Sequence, residues 1–396
     1  MARRTIDFLI LGSGGMQGRI VTRDLLEHGF RCHLADLSEE GSKKNLNTFL
    51  GTRFTKIDLR DTKTTLALIQ SSGARVVVNC AEGDWNIQVY QACLEAGVHV
   101  LDLGSDIPMT KDQIAMHDAF ANRDLVAITG CGSTPGINNI LLAHAAEQLS
   151  HIETIEAGFA WDSNIKAFVV PFSMESIVEE LTDPAPAIED GKWVERVPTE
   201  TETTREFRAI GKQRCFIVRH PETYTFEMYY KKNGVQNVRF YAGFPDHSLN
   251  VLFSLTKLGL GSKTPVSVDG VDVRPIDVVA QTLARLVRPN GYEETENLWV
   301  SISGRVESGE PRSILMECIV PTLPGWRDAG CNIDTGMPCS IMAQMVLDGR
   351  ISARGSYAPG PVVPCDEFLR EISRRGMTVY QDGVMVYEGV LSSVAV

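Results

Sequence analysis

The sequence predicts an α/β fold: a doubly wound parallel sheet followed by a second, α+β region. Three observations carry that prediction. Over the first 130 residues, short apolar runs alternate with amphipathic stretches, the pattern of strands and crossover helices. A glycine-rich turn, Gly12-Ser13-Gly14-Gly15-Met16-Gln17-Gly18, joins the first apolar run to the first amphipathic stretch. Beyond Gly130 the alternation gives way to paired apolar runs separated by turn residues, which is how antiparallel strands read.

Taken in order, residues 6–11 form a short apolar run and predict a buried strand. Residues 18–28 predict a helix, with Ile20, Val21, Leu25 and Leu26 near helical spacing. Strands follow at 33–36, 75–81, 99–103 and 125–129, and helices at 64–70, 85–96 and 117–122. After the turn Gly130-Cys131-Gly132-Ser133-Thr134-Pro135-Gly136 comes a helix at 138–149. A strand is expected at 153–161 and a helix at 174–181. Strands at 223–230 and 235–240 are expected to form a hairpin about Lys232-Asn233-Gly234. Residues 183–215 carry only loops and short strands in this reading. Helices at 248–260 and 276–287 precede a second hairpin, 298–306 with 313–320. An apolar helix is expected at 340–347 and another at 366–375. A last hairpin pairs 378–380 with 384–387 about Asp382-Gly383.

The chain has 396 residues, 43% of them hydrophobic and 22% charged. That excludes a disordered chain and allows two or three domains at about 150 residues each. Fifty acids against 38 bases give a net charge of −12, without basic blocks, so no nucleic-acid partner is expected. The nine cysteines include no C-x-x-C pair. Neither a metal site nor a disulfide framework is expected, and buried reduced thiols in a cytoplasmic protein fit better. The run at 6–11 is too short for a signal segment or a membrane span.

The glycine turn has the placement of a dinucleotide-binding loop. Its glycines allow a sharp turn and a close backbone approach to a pyrophosphate, and the helix behind it offers free N–H groups. The third glycine comes one place late, giving G-x-G-x-x-x-G at Gly12, Gly14 and Gly18, with Gln17 in the usual position. Gly15 and Met16 complete the cofactor-binding candidates there. Asp36, followed by Leu37, stands where an acid accepts both ribose hydroxyls of NAD and opposes a 2′-phosphate. Two like charges about 4 Å apart cost about 4 kcal/mol at an effective dielectric near 20. NAD is therefore favoured, with NADP left open. Asp58, then Asn79, Cys80 and Ala81 at a strand end, and Gly132 in the crossing turn are further cofactor candidates.

With those residues in view, the chain resembles the saccharopine dehydrogenase-like oxidoreductases, in pattern the lysine 6-dehydrogenase and saccharopine reductase branch. The resemblance runs over nearly the whole length. Its marks are residues 12–25 (GSGGMQGRIVTRDL), 95–102 (EAGVHVLD), 130–139 (GCGSTPGINN), 173–191 (SMESIVEELTDPAPAIEDG), 243–247 (GFPDH), 258–260 (LGL), 334–338 (DTGMP) and 362–376. The resemblance implies a Rossmann domain at 1–133, an inserted α+β substrate domain at 134–348, and a segment at 349–396 returning to the Rossmann domain. It also implies a homodimer and hydride transfer at a C–N bond of an amino acid or opine such as lysine or saccharopine. One departure stands out. Relatives often carry Arg-aromatic-Pro-Gly-His where this chain has Gly243-Phe244-Pro245-Asp246-His247, so the arginine suited to a substrate carboxylate is missing.

For such chemistry, Asp102 at a strand end is a candidate to hold the amine, and a loop cap in its plainer reading. His247 is a candidate proton relay or a structural histidine. Thr134 opens a helix that can meet a carboxylate or simply be capped. Ser173 is an N-cap that the resemblance raises to a substrate contact, and Arg239 is a stand-in for the missing arginine. Asp334-Thr335-Gly336 is expected as a capped helix end near the cleft. Two alternatives remain: a semialdehyde dehydrogenase using Cys131 as nucleophile, and a nicotinamide-binding sensor without turnover.

Overall fold

The computed structural model describes residues 6–170, 173–283 and 285–390. The first unit runs β1 (Phe8–Leu11), α1 (Met16–Glu27), β2 (Cys32–Asp36), α2 (Lys43–Thr48), β3 (Arg53–Lys56), α3 (Thr62–Ser72), β4 (Val76–Asn79), α4 (Asn86–Ala96), β5 (His99–Asp102), α5 (Ile107–Ala115), α6 (His117–Ala121) and β6 (Val126–Ile128). β1 and β4 are buried along their whole length, as strands covered by helices on both faces must be. Asp61 starts α3 by accepting the Lys63 and Thr64 amides, and Asp106 starts α5 by accepting that of Met109.

The second unit holds α7 (Ile137–Ala146), β7 (His151–Ser163), α8 (Met174–Thr182), β8 (Ala185–Glu189), β9 (Lys192–Arg196), β10 (Thr203–Phe207), β11 (Gly211–Ile217), α9 (Glu222–Tyr230), β12 (Asn237–Phe244) and α10 (Asp246–Lys257). The ribbon β13 (Val266–Val268) and β14 (Val271–Val273) follows, then α11 (Pro275–Leu283), β15 (Glu294–Arg305), β16 (Pro311–Pro321) and α12 (Ile333–Asp348). The tail supplies β17 (Gly355–Tyr357), α13 (Cys365–Ser373), β18 (Thr378–Gln381) and β19 (Val384–Tyr387).

The first sheet is parallel, in the order β17-β6-β5-β4-β1-β2-β3. The order reverses between β1 and β4, so the crevice that binds a dinucleotide in such sheets opens at their carboxyl ends. The second sheet runs β10-β11-β12-β7-β15-β16-β18-β19, with β8 and β9 attached beside β12. The tail therefore divides: β17 extends the first sheet, and β18 and β19 extend the second.

One apolar core joins the units. Phe159 and Trp161 of β7, Phe240 and Phe244 of β12, and Leu298 and Val300 of β15 share the core that includes Ile10, Ile20 and Val78 of the first unit. α12 lies along α1. Gly336 allows this, because a Cβ there would sit 2.5 Å from Ile20 Cγ2. A buried ion pair fixes the contact: Arg375 donates from Nε to Asp24 Oδ1 at 2.9 Å, and Ser340 donates to Asp24 Oδ2 at 2.6 Å.

Three expectations are corrected. Residues 223–230 form no strand; they belong to α9, whose Glu222, Thr223 and Phe226 are buried. Burial of one helical face overrides the strand preference of Thr and Tyr, and Pro221 marks the start. Lys232-Asn233-Gly234 is likewise no hairpin turn. A 3-10 turn over Lys231–Asn233 ends α9, and Gly234 is required because a Cβ there would meet the His151 ring at 1.9 Å. α12 starts at Ile333, well before the expected 340, since Pro338 lies inside it. α11 stops at Leu283, and position 284 of the expected 276–287 helix lies outside the described residues. The hairpin at 378–387 forms as expected, with Asp382 and Gly383 both at positive φ (49° and 83°).

Candidate active site

The glycine loop is shaped by close backbone contacts. Gly12 sits at φ +70°, and a Cβ there would lie 2.5 Å from the Ala81 amide nitrogen. A Cβ on Gly18 would lie 2.1 Å from the Gly12 carbonyl oxygen, so the late third glycine lets α1 approach β1. Gly15, the N-cap of α1, has no side-chain cap, and a Cβ there would meet only the Gly12 oxygen at 3.5 Å. The first turn of α1 thus starts without a side-chain cap, which fits a pyrophosphate there.

A cavity of about 440 Å³ opens beside this loop. It is lined by Gly12, Gly15, Asp36, Leu37, Asp58, Cys80 and Ala81, together with Arg60, Glu82 and Trp85. Asp36 Oδ2 accepts the Gly14 N–H at 2.8 Å and Oδ1 accepts the Ser38 N–H at 3.3 Å, so it ties the loop while facing the cavity. Arg60 hydrogen-bonds Asp58 and holds that carboxyl down to about 2. The remaining cofactor candidates stand apart. Asn79 donates to Asn86 and accepts from Ala81, shaping the end of β4. Met16 lines a small recess with Arg23 and Trp326. Gly132 lies against Thr335, 3.0 Å from where its Cβ would be.

A second cavity of about 240 Å³ lies between the units, lined by Gln17, Ser133, Thr134, Phe159, Trp161, Ser176, Glu180, His220, Glu294, Glu296, Asn332, Asp334 and Thr335. Thr134, Ser176, Glu180 and His220 also border an outer chamber of about 470 Å³, whose wall adds Glu82, Asp84, Asp106, Glu179, Asp183 and Arg219. Glu82 borders the nucleotide cavity as well. The three spaces form one run from the glycine loop to the second sheet.

The lining is acidic because of register. Leu298 and Val300 of β15 alternate with the opposite face; Glu296 and Glu294 continue the face of Leu298 into the cavity. Ser176 and Glu180 lie four residues apart on α8, and Asp334 comes from the first turn of α12. Burial raises Glu180 to about 7 and Asp334 to about 7. Glu296 is raised by burial and by its hydrogen-bonded neighbour Asp334. Burial would lower His220, but Glu222, hydrogen-bonded to it, and Glu180 outweigh that and raise it. Gln17 Oε1, Glu180 Oε2 and Asp334 Oδ2 have no hydrogen-bond partner, and neither does Trp161 Nε1. The cavity thus presents acceptors that call for N–H donors.

The structure places the remaining site candidates as follows. Asp102 is only 1% exposed and accepts from Tyr90, Gln113 and Thr129 side chains and from the Gly104 and Gly130 amides. It ties down the crossing turn and lines neither the inner cavity nor the outer chamber. Arg239 lies on the other face of β12, beside Glu156 and Glu189 at 3.6 and 3.5 Å. A Cβ at Gly243 would meet Ala160 and Cys215 on that same far face, so an arginine there would not reach the cavity. His247 makes an edge-on contact with Trp161, ring centroids 6.3 Å apart, and burial lowers it. Ser173 caps α8 by accepting from Ser176 N–H at 3.4 Å. Cys131 is 0% exposed and burial raises its thiol, the reverse of what a thiolate nucleophile needs.

With this geometry in place, the comparisons can be read. The saccharopine dehydrogenase NADP-binding domain family matches residues 8–128, and the saccharopine dehydrogenase C-terminal domain family matches 132–377. The chain belongs to the saccharopine dehydrogenase family. It is an NAD(P)-dependent oxidoreductase. Over 337 residues it is 24% identical to carboxyaminopropylagmatine dehydrogenase of Synechocystis sp., covering 81% of this chain and 83% of that one. Over 346 residues it is 26% identical to carboxynorspermidine synthase of Vibrio cholerae, covering 81% of each. Among solved structures, apo saccharopine dehydrogenase (L-Glu forming) of Saccharomyces cerevisiae shares the fold with a TM-score of 0.76 at 12% identity, over 95% of this chain and 99% of that one. Among the described residues no helix is long and apolar enough to cross a membrane.

Sequence reasoning missed Glu180, Glu294, Glu296 and His220. A signal existed: Glu294 and Glu296 occupy the apolar face of an alternating strand, where a core residue is expected.

Proposed function

We propose that this family member makes or oxidises a C–N bond in a polycationic amine that carries one carboxylate. The observation behind this reading is the carboxyl-rich lining: Glu180, Glu294, Glu296 and Asp334 inside, with Glu82, Asp84, Asp106, Glu179 and Asp183 outside. Against these stand only His220 and Arg219 among the described lining residues. Such a wall suits several ammonium groups and opposes a polycarboxylate such as saccharopine. The names of the two bacterial relatives point to amines of that kind.

In this reading the amides at the start of α1 hold the pyrophosphate and Asp36 the adenosine ribose. The nicotinamide, when bound, exchanges a hydride with the carbon that bears the nitrogen. The chain does the rest. Phe159 and Trp161 exclude water from the inner cavity, and Glu180 accepts hydrogen bonds from an ammonium. Arg219, 3.7 Å from Asp106 at the outer chamber, takes the carboxylate.

The test is nicotinamide absorbance with carboxylated and plain polyamines against lysine and saccharopine, in both directions. Turnover of a polyamine at least about tenfold better in kcat/KM than lysine is expected. Preference for lysine or saccharopine would reject the reading.

A further inference from the structure

We propose that Glu296 and Asp334 act as one proton-transfer pair that takes the proton from the substrate ammonium before hydride leaves its carbon. This rests on the C–N reading above. The two carboxyls come from separate elements, β15 and the first turn of α12, and hydrogen-bond each other in the wall of the inner cavity. Two carboxyls in such contact hold a proton between them, since both cannot ionise at close range. Asp334 is 2% exposed, Thr335 Oγ1 donates to its Oδ1 at 3.1 Å, and no N–H or O–H of the described residues donates to its Oδ2. That oxygen is the free acceptor of the pair.

The step balances as follows. The ammonium N–H bond breaks and an O–H bond forms on the pair. The nitrogen lone pair then forms the C=N bond while the adjacent C–H electron pair leaves as hydride to the oxidised nicotinamide. In reduction the pair returns the proton to nitrogen. Among the described lining residues no other acid is hydrogen-bonded to a second carboxyl. Glu294 already accepts from the Cys331 N–H at 2.9 Å and the Tyr292 hydroxyl at 3.1 Å, with Arg288 at 3.5 Å. Glu180, on α8, faces His220. The thiols of Cys318 and Cys331 feel both carboxyls, and burial keeps them protonated.

The experiment compares Glu296→Gln and Asp334→Asn with the wild type, with NADH binding as the control for folding. For both, kcat should fall about 10²- to 10⁴-fold while the amine Kd, measured by calorimetry without cofactor, changes less than about tenfold. The kcat/KM limb near pH 7 should vanish in Asp334→Asn and in Glu296→Gln. Calorimetry in buffers of different ionisation enthalpy should show proton exchange on amine binding in the wild type and less of it in Glu296→Gln, a readout that needs no turnover. Should one pair variant misfold, the other carries the test. Retained kcat with an unchanged pH limb would overturn the pair. Failure of the wild type to turn over any amine would overturn the C–N reading instead.

Discussion

The nucleotide cavity and the inner cavity proposed for the amine (the amine cavity) connect through the outer chamber that Glu82 borders, yet they are built in opposite ways. The first is made mostly of backbone and comes from consecutive turns: Gly12 and Gly18 matter for the Cβ they lack. The second is made of side chains contributed by α8, β15 and α12, more than 150 positions apart along the chain between Glu180 and Asp334. A backbone site tolerates little change at its glycines but accepts one kind of ligand. A side-chain site can change its ligand while the fold stays put. That difference explains how this chain keeps its family's cofactor loop and fold while lining the inner cavity with carboxyls.

The sharpest way to break the contrast is at the joint both regions share. Asp24 on α1 holds Arg375, Ser340 and Gln344, so it links the nucleotide helix to α12, which carries Asp334. Removing one partner of a buried ion pair costs about 3–5 kcal/mol. Asp24→Ala should lower the urea unfolding free energy by that amount and weaken NADH and amine binding together. A loss under about 1 kcal/mol, or weakening of one ligand alone, would show that the two regions are independent.

The same contrast decides what was legible in the sequence. The first sheet, the loop and Asp36 could be read because a dinucleotide fold imposes local rules: strand, glycine turn, helix, acid. The amine cavity could not, because its carboxyls meet only after β15 aligns beside β7 and α12 folds back on α1. Asp102 looked functional from its place at a strand end, a place it shares with cofactor contacts. The structure gives its oxygens five protein donors instead. Residues 223–230 misled because Thr and Tyr favour strands locally, whereas the burial that makes them helical is tertiary. Pro338 hid the first turn of α12, and with it the role of Asp334.

A smaller effect sharpens the comparison from the nucleotide side. Asp36 lines the nucleotide cavity and Arg60, opposite, is held by Asp58. The acid disfavours a 2′-phosphate, and Arg60, the arginine among the described lining residues, is engaged. Wild type should therefore bind NADH more tightly than NADPH, and Asp36→Ser should shift that ratio towards NADPH by about tenfold, equivalent to about 1.4 kcal/mol. Amine affinity should not move. A wild-type preference for NADPH would mean that Arg60 leaves Asp58 for the phosphate, and Arg60→Ala would then remove it.

The smallest expected effect comes from the amine side and concerns the ligand-free protein. Folding raises Asp334 and Glu180 to about 7, above ordinary unfolded carboxylates near pH 4. Between those values the folded chain binds more protons than the unfolded one, so stability from these groups falls as pH rises from about 4 towards 7 and is level beyond. Urea midpoints at pH 5.5, 6.5 and 7.5 should decline in that order, and the decline should shrink in Glu180→Gln, which carries no charge to bury. Adding a polyamine at pH 7.5 should restore much of the loss, because its ammonium groups supply the partners that the ionised carboxyls lack. Spermidine serves as that probe, with potassium chloride at matched ionic strength as its control. A flat pH response, or equal recovery with the salt, would mean that the carboxyl wall is solvated rather than strained, and that the amine cavity is no more specific than an acidic surface.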